Sequence, residues 1–230
     1  MPPQDKVFAR AAVHTWLDAS LRSVFLRINA ADTPWFEQDL TICSHPAVAG
    51  VMLPKAECAD VVASVAAVGK PVLPLIETAL GYSRVQLIAG SPGVQRLAFG
   101  HVDFQQDLGI IGDGPELLHF RSGIVLASRL ALIAPPLDGV CLAIDDADVI
   151  RRDSLNSRSM GFAGKLCIHP RQVSTVNEAF APTEAEVGWA RKVLLATMRS
   201  AVATVDGKMV DRPVIDRARA ILLQLDEASQ

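Results

Sequence analysis

The stretch that decides the fold reads Pro71-Val72-Leu73-Pro74-Leu75-Ile76-Glu77-Thr78-Ala79 and then Leu97-Ala98-Phe99-Gly100-His101-Val102-Asp103. Each half is a short apolar run that ends in a turn and carries a carboxylate, Glu77 or Asp103, ahead of a stretch suited to a helix. The first run is apolar throughout rather than alternating, the pattern of a parallel strand covered on both faces. Working outward, the same unit recurs at Val24-Phe25-Leu26, Gly50-Val51-Met52-Leu53, Leu137-Asp138-Gly139-Val140 and Lys165-Leu166-Cys167-Ile168, making six candidate strands. Helix candidates lie between them. Ala56 to Val68 is rich in Ala and Val, and Glu116 to Ala131 places Leu117, Phe120, Ile124 and Ala127 at helical spacing.

The strand ends follow one another at roughly 23 to 41 residues, around the roughly 31 per unit of a (β/α)8 barrel. The rhythm therefore predicts an α/β fold of TIM-barrel type, incomplete, with about six parallel strands. Residues 1–22 read as one helix with Val7, Ala11, Val13 and Leu17 on one side, and Val187 to Met198 and Val214 to Leu225 also have helical spacing. Pro182-Thr183-Glu184-Ala185-Glu186 has the cap and acids of a helix start, and Asp206-Gly207 marks a turn. A shortened barrel domain over 1–200 and a C-terminal helical segment over 201–230 are expected. A doubly wound sheet would also accept six strands, but the Gly-rich phosphate turn that usually follows its first strand does not occur.

Composition narrows the function. The chain has 230 residues, half of them apolar, enough for a sizeable core. With 22 basic and 25 acidic residues the net charge is -3, which argues against a nucleic-acid partner. No apolar run suits a membrane span and the first residues lack a signal-peptide core, so no membrane association and a cytoplasmic location are expected. Cys43, Cys58, Cys141 and Cys167 show no metal-ligand spacing.

In a βα barrel the residues just after the strands build the active site. Here these are Arg27 and Asn29, Lys55, Glu77, Asp103, Asp138 and His169. Glu77 follows so apolar a strand that its charge needs a cation or a proton. Two carboxylates from adjacent strands suit magnesium, which takes one or two protein carboxylates plus water and substrate oxygens. On spacing alone, helix caps or ion pairs are the simpler expectation for Glu77 and Asp103, and an ion-pair role for Arg27 is equally open. A structural hydrogen-bonding role is the simpler expectation for His169, and local capping for Asp138.

At these motifs the sequence resembles the citrate lyase beta-subunit-like family, carbon-carbon lyases of the pyruvate/phosphoenolpyruvate-binding TIM barrels. The matching segments, in the family's order over about residues 5 to 200, are Leu26-Arg27-Ile28-Asn29 with Asp32-Thr33-Pro34-Trp35, Gly50-Val51-Met52-Leu53-Pro54-Lys55, Leu75-Ile76-Glu77-Thr78-Ala79, Phe99-Gly100-His101-Val102-Asp103, and Gly161-Phe162-Ala163-Gly164-Lys165 with Ile168-His169-Pro170. The resemblance implies that Arg27 binds the oxo-acid end of the substrate, with Asn29 and Lys55 as further substrate-binding positions, and that Glu77 and Asp103 hold Mg2+. Met209-Val210-Asp211-Arg212-Pro213 resembles a C-terminal segment that in some relatives reaches a neighbouring subunit's site. That makes Asp211 the candidate acid/base, with a helix N-cap as the alternative. A homo-oligomer, trimer or larger, is then implied.

The implied reaction is Mg2+-dependent cleavage of a 3-hydroxy acyl thioester of citryl, malyl or citramalyl type. Its partners are an acyl-CoA or acyl-carrier-protein thioester and an oxo-acid such as oxaloacetate, glyoxylate or pyruvate. Two alternatives are open: a metal-dependent aldolase on free hydroxy-oxo acids, and an inactive truncated binding or assembly subunit. Relatives open with an L-F-V-P-G-like strand and a D-L-E-D strand that do not occur here; Pro3-Gln4-Asp5-Lys6 and Ala9-Arg10 resemble the stretch after the second. An N-terminally shortened barrel lacking two strands is therefore expected.

Overall fold

The structure, a computed structural model, describes residues 2–199 and 203–228. The chain forms two compact units, Met1–Val176 and Asn177–Gln230. The first holds the strands β1 (Val24–Arg27), β2 (Val48–Leu53), β3 (Val72–Ile76), β4 (Ala98–Phe99), β5 (Leu137–Asp138) and β6 (Gly164–Lys165). They make one parallel sheet in the order β1-β2-β3-β4-β5-β6, a curled half-barrel matching an incomplete TIM-type fold. The helices in chain order are α1 (Lys6–Ala19), α2 (Phe36–Cys43), α3 (Ala59–Ala66), α4 (Ala79–Ser83), α5 (Val85–Ala89), α6 (His101–Leu108), α7 (Pro115–Leu130), α8 (Ala147–Ser159), α9 (Val173–Phe180), α10 (Glu184–Arg199) and α11 (Arg212–Ala228).

All six expected strands are present, but their lengths differ. Every residue of β3 is buried, as its unbroken apolar run requires. Pro74, which has no amide donor, sits where the pairing of β3 shifts: Val72 to Pro74 run beside β2, and Leu75 and Ile76 beside β4. β5 and β6 keep only two residues each, because the chain leaves the sheet after Asp138 and Lys165. The expected helix over 1–22 is shorter as well. A 3-10 turn over Pro3–Asp5 precedes α1, which stops at Ala19 and leaves Leu21 exposed.

The core of this unit is built from the strands and the helix faces over them, including Val51, Leu53, Ile76, Ile88, Leu97, Phe99, Phe104, Leu117 and Ile124. Aromatic edges interlock near α6 and α7, with ring centroids 4.8 Å apart for Phe104 and Phe120 and 5.0 Å apart for Tyr82 and Phe120. β1 and β6 are the end strands of the sheet. β1 alternates half-buried and exposed positions, its Phe25 among the exposed ones, and Phe8 and Trp16 of α1 are exposed as well.

The second unit packs α10 and α11 around Val187, Ala190, Val193, Val210, Ala218 and Ile221. Thr183 and Glu186 form the capping pair that the sequence suggests: Thr183 N–H donates to Glu186 Oε2 at 2.8 Å, and Glu186 N–H donates to Thr183 Oγ1 at 3.2 Å. The expected turn at Asp206-Gly207 joins two short antiparallel strands, β7 (Ala203–Val205) and β8 (Lys208–Val210). Asp206 and Gly207 both have positive φ, the demand of a tight two-residue hairpin that an Asp-Gly pair meets at low cost. Among the described residues no helix is long and apolar enough to cross a membrane.

Candidate active site

Parallel strands in register deliver their C-terminal ends to one edge of the sheet, so residues far apart in sequence converge there. The ends of β1 to β4 open onto a cleft of about 630 Å³ lined by Arg27, Asn29, Lys55, Glu77 and Asp103, and by Lys6 and Arg10 of α1. Five of the seven strand-end residues expected from the sequence are thus brought together. The contribution of α1 was not foreseen; Lys6 and Arg10 are four residues apart and so share one helix face.

Glu77 is the centre of the arrangement. It follows β3 directly and is only 3% exposed. Its Oε1 accepts the Lys55 backbone N–H at 2.8 Å, while Arg27 Nη2 stands 4.0 Å from Oε2, beyond hydrogen-bond reach. Oε2 is buried without a hydrogen-bond partner. Burial pushes the Glu77 pKa up; the Lys55 amide and the Arg27 charge pull it down, and the negative charge of Asp103 pushes it up again. A buried acceptor left unmade costs about 1–3 kcal/mol, and more when it is charged.

The backbone is shaped to permit this. Lys55 has φ of 45°, in the left-handed region that a residue with a side chain adopts only at a cost of roughly 1–3 kcal/mol, and strain of this kind concentrates at functional sites. Gly100 closes β4 beside Glu77. A Cβ at Gly100 would lie 2.6 Å from Glu77 Cβ and 2.8 Å from Oε2, so only glycine leaves room for the carboxylate. Asp103 follows in the first turn of α6 and is exposed. Lys55 is exposed at the cleft, and the side chain of Arg27 is 58% exposed.

Asn29 is held on both sides. Its Oδ1 accepts from Lys6 Nζ, and its backbone and side-chain N–H groups donate to Asp39 Oδ2, which lies beside the Oδ1 that receives Arg10 Nε at 2.9 Å. Asp211 lies in the second unit. Its Oδ1 accepts Val214 N–H at 3.2 Å, so it caps the start of α11, and its side chain is exposed.

The remaining two strand-end candidates have structural partners. His169 caps a short 3-10 turn, accepting Arg171 N–H at 3.2 Å, as expected for a structural histidine. Asp138 is not a local cap. It is 1% exposed and takes Arg121 Nε at 3.1 Å, Ser157 Oγ, and Lys165 Nζ at 3.5 Å. Burial pushes its pKa up, but Lys165 and Arg121 outweigh that and hold it below the ordinary carboxylate value. Arg121 was missed, although its position was informative: it falls on the same buried stripe of α7 as Leu117 and Ile124, where an arginine must have a buried partner.

A partly buried pair of oxygen ligands with one orphaned oxygen fits a hard divalent cation, which magnesium would supply using few protein ligands. Among the described residues no group of three or more His, Cys, Asp or Glu forms a full protein cage. Glu77 and Asp103 are the residues that fit such an ion.

The model of the HpcH/HpaI aldolase/citrate lyase family matches residues 2–170. A citrate lyase subunit beta-like protein of Deinococcus radiodurans is 37% identical over 213 residues, 87% of this chain and 74% of that protein. A (3S)-malyl-CoA thioesterase of Cereibacter sphaeroides is 32% identical over 236 residues, 96% of this chain and 82% of the relative. The crystal structure of CitE from Mycobacterium tuberculosis in complex with magnesium, acetoacetate and coenzyme A superimposes with a TM-score of 0.85 at 30% identity, covering 98% of this chain and 86% of that one. The chain belongs to the HpcH/HpaI aldolase/citrate lyase family.

Proposed function

We propose that this protein is a magnesium-dependent carbon-carbon lyase that cleaves a 3-hydroxy acyl thioester of citryl, malyl or citramalyl type into an acyl thioester and an oxo-acid. The observation that carries the reading is the buried, unpartnered Oε2 of Glu77 beside Asp103 in a cleft that also presents Arg27. The relatives support the substrate class, since one is named for malyl-CoA and another was crystallised with magnesium, an oxo-acid and coenzyme A.

Glu77 and Asp103 would hold the ion, and magnesium bound there would supply Lewis acidity toward the oxygen that becomes the carbonyl of the oxo-acid. Arg27, with an exposed guanidinium at the cleft, binds the oxo-acid carboxylate and balances charge that builds on the adjacent oxygen. Lys55 and Asn29 contribute to substrate binding, Lys55 through its exposed ammonium and Asn29 from a position fixed by Lys6 and Asp39. In the reaction the hydroxyl passes its proton to the Asp211 carboxylate, which acts first as base, and the carbon-carbon bond breaks. The electron pair passes to the α-carbon of the acyl thioester, which then needs a proton. Asp211 donates it, carried by the segment 201–230 of a neighbouring subunit in a homo-oligomer of three or more chains around the barrel domain 1–200. The acyl carrier is coenzyme A or a carrier protein, and the oxo-acid is oxaloacetate, glyoxylate or pyruvate. A cytoplasmic setting suits the four free cysteines.

The test is calorimetric titration of MgCl2 with the wild type, Glu77→Ala and Asp103→Ala, together with thioester cleavage assays. Both variants should lose magnesium binding and magnesium-dependent cleavage; unchanged binding in both overturns the assignment.

A further inference from the structure

We infer that Asp113 is a positioning residue for the cleft: by joining His101 to Arg121 it fixes the first turn of α6 and, with it, Asp103. The inference rests on the reading of Glu77 and Asp103 as the magnesium ligands, and it gives a role to buried groups that the reaction does not use.

α6 needs such a device because it starts at Gly100 with no side-chain cap. Its first residue, His101, is only 2% exposed. The ring occupies the space left by a glycine on the neighbouring strand end, for a Cβ at Gly139 would come 1.9 Å from His101 Nδ1. That nitrogen is buried with no hydrogen-bond partner. The polar hold on the ring is at its other end, where Nε2 stands 3.4 Å from Asp113 Oδ2.

Asp113 lies between α6 and α7 and reaches both. Its Oδ1 receives Arg121 Nη2 at 2.9 Å and its backbone carbonyl receives Arg121 Nη1 at 3.1 Å. Arg121 in turn holds Asp138 at the end of β5, and Asp138 stands beside Lys165 at the end of β6. The first turn of α6 is therefore tied, through one carboxylate, to two strands of the sheet. Gln105 adds a second tie, donating from Nε2 to the Gly112 carbonyl at 2.9 Å. Asp103 is two residues beyond His101 on the same turn, so a shift of the His101 ring moves the Asp103 carboxylate relative to Glu77. A ligand pair tolerates only about 0.5 Å of such movement before affinity falls.

The side chain of Asp113 is 51% exposed, so it can be changed without opening a cavity in the core. The test is calorimetric titration of MgCl2 with the wild type, Asp113→Ala, Asp113→Asn and Glu77→Gln, with metal-free melting curves of each. Asp113→Ala should weaken magnesium binding about tenfold, the low end of what losing a ligand's supporting group costs. Asp113→Asn, which keeps volume and one acceptor oxygen, should fall between it and the wild type. The deficit should persist in about 0.5 M KCl, where a mere loss of negative charge is screened. Affinity within about twofold of wild type for both Asp113 variants, or a deficit that vanishes in salt, overturns the positioning role while a loss confined to Glu77→Gln leaves the magnesium reading standing. No magnesium binding by the wild type removes that reading, and this inference with it.

Discussion

Two buried carboxylates at strand ends, Glu77 after β3 and Asp138 in β5, have opposite surroundings. Asp138 is met by Arg121, Lys165 and Ser157, which together satisfy both of its oxygens. Glu77 has one backbone donor on Oε1 and none on Oε2, and its nearest cation, Arg27, holds off at 4.0 Å. Both acids are equally well removed from water, so burial does not distinguish them. What separates structure from function is whether the protein itself completes the carboxylate. Asp138 is complete and ties strands together; Glu77 is left open on the side facing the cleft and Asp103.

The comparison breaks most visibly at Asp138. Asp138→Ala leaves Arg121 and Lys165 buried without their shared partner, and should cost about 3–5 kcal/mol of stability in urea unfolding. A loss under about 1 kcal/mol would mean that the cluster is not the brace described here. Gly100→Ala comes next. The added methyl overlaps the Glu77 side chain and should cost about 1–3 kcal/mol while also weakening magnesium binding, because the carboxylate must move. Unaltered stability together with unaltered binding would show that Glu77 is not confined as described.

Glu77→Gln should act in the other direction on the metal-free protein. The raised pKa of Glu77 means that the folded state holds its proton more tightly than the unfolded chain does. The wild type therefore loses stability as pH rises from the unfolded value of 4.5 through the folded one. The glutamine variant lacks this loss, so its stability relative to wild type should rise across that window and then level off. Asp138 and Asp113 show the reverse sign. Burial raises the Asp113 pKa, but His101 and Arg121 outweigh it and hold the carboxyl down to about 2. The stability that both acids contribute is present above their unfolded value of 3.8 and is lost as pH falls below it. Metal-free melting curves of wild type and Glu77→Gln between pH 3 and 8 would expose the first trend in their difference and the second in a loss shared by both proteins at the acid end; a constant difference would contradict the first, and no shared acid loss the second.

The smallest expected effect is at Asp211. Asp211→Ala removes the cap of α11 and should cost about 1 kcal/mol, whereas Asp211→Asn keeps a capping oxygen and should cost much less. Because asparagine cannot donate a carboxylic proton, turnover should fall in both variants alike. Full turnover by Asp211→Asn would leave Asp211 a cap alone.

Much of this was legible in the chain. Unbroken apolar runs such as Val72-Leu73-Pro74-Leu75-Ile76 announce buried parallel strands, and the residues that follow them, Arg27, Lys55, Glu77 and Asp103, meet at one cleft because parallel strands end on the same side. Asp206-Gly207 signalled its turn, although strands of three residues on either side carry too little pattern to be seen. What was not legible came from side chains whose partners lie on other elements. Asp138 takes Arg121 from 17 residues away and Lys165 from 27, distances that no local spacing reports. The orphaned Oε2 of Glu77 is likewise a property of packing, set by Gly100 and the left-handed turn at Lys55 rather than by any motif.

The central claim is that Glu77 and Asp103 grip one divalent ion. Crystals soaked in MnCl2 and pyruvate, with data collected at the manganese edge, test it most directly. One anomalous peak should lie within coordinating distance of Glu77 Oε2 and an Asp103 carboxylate oxygen. A cleft holding pyruvate with no such peak, and Glu77 bonded to protein groups alone, would contradict it.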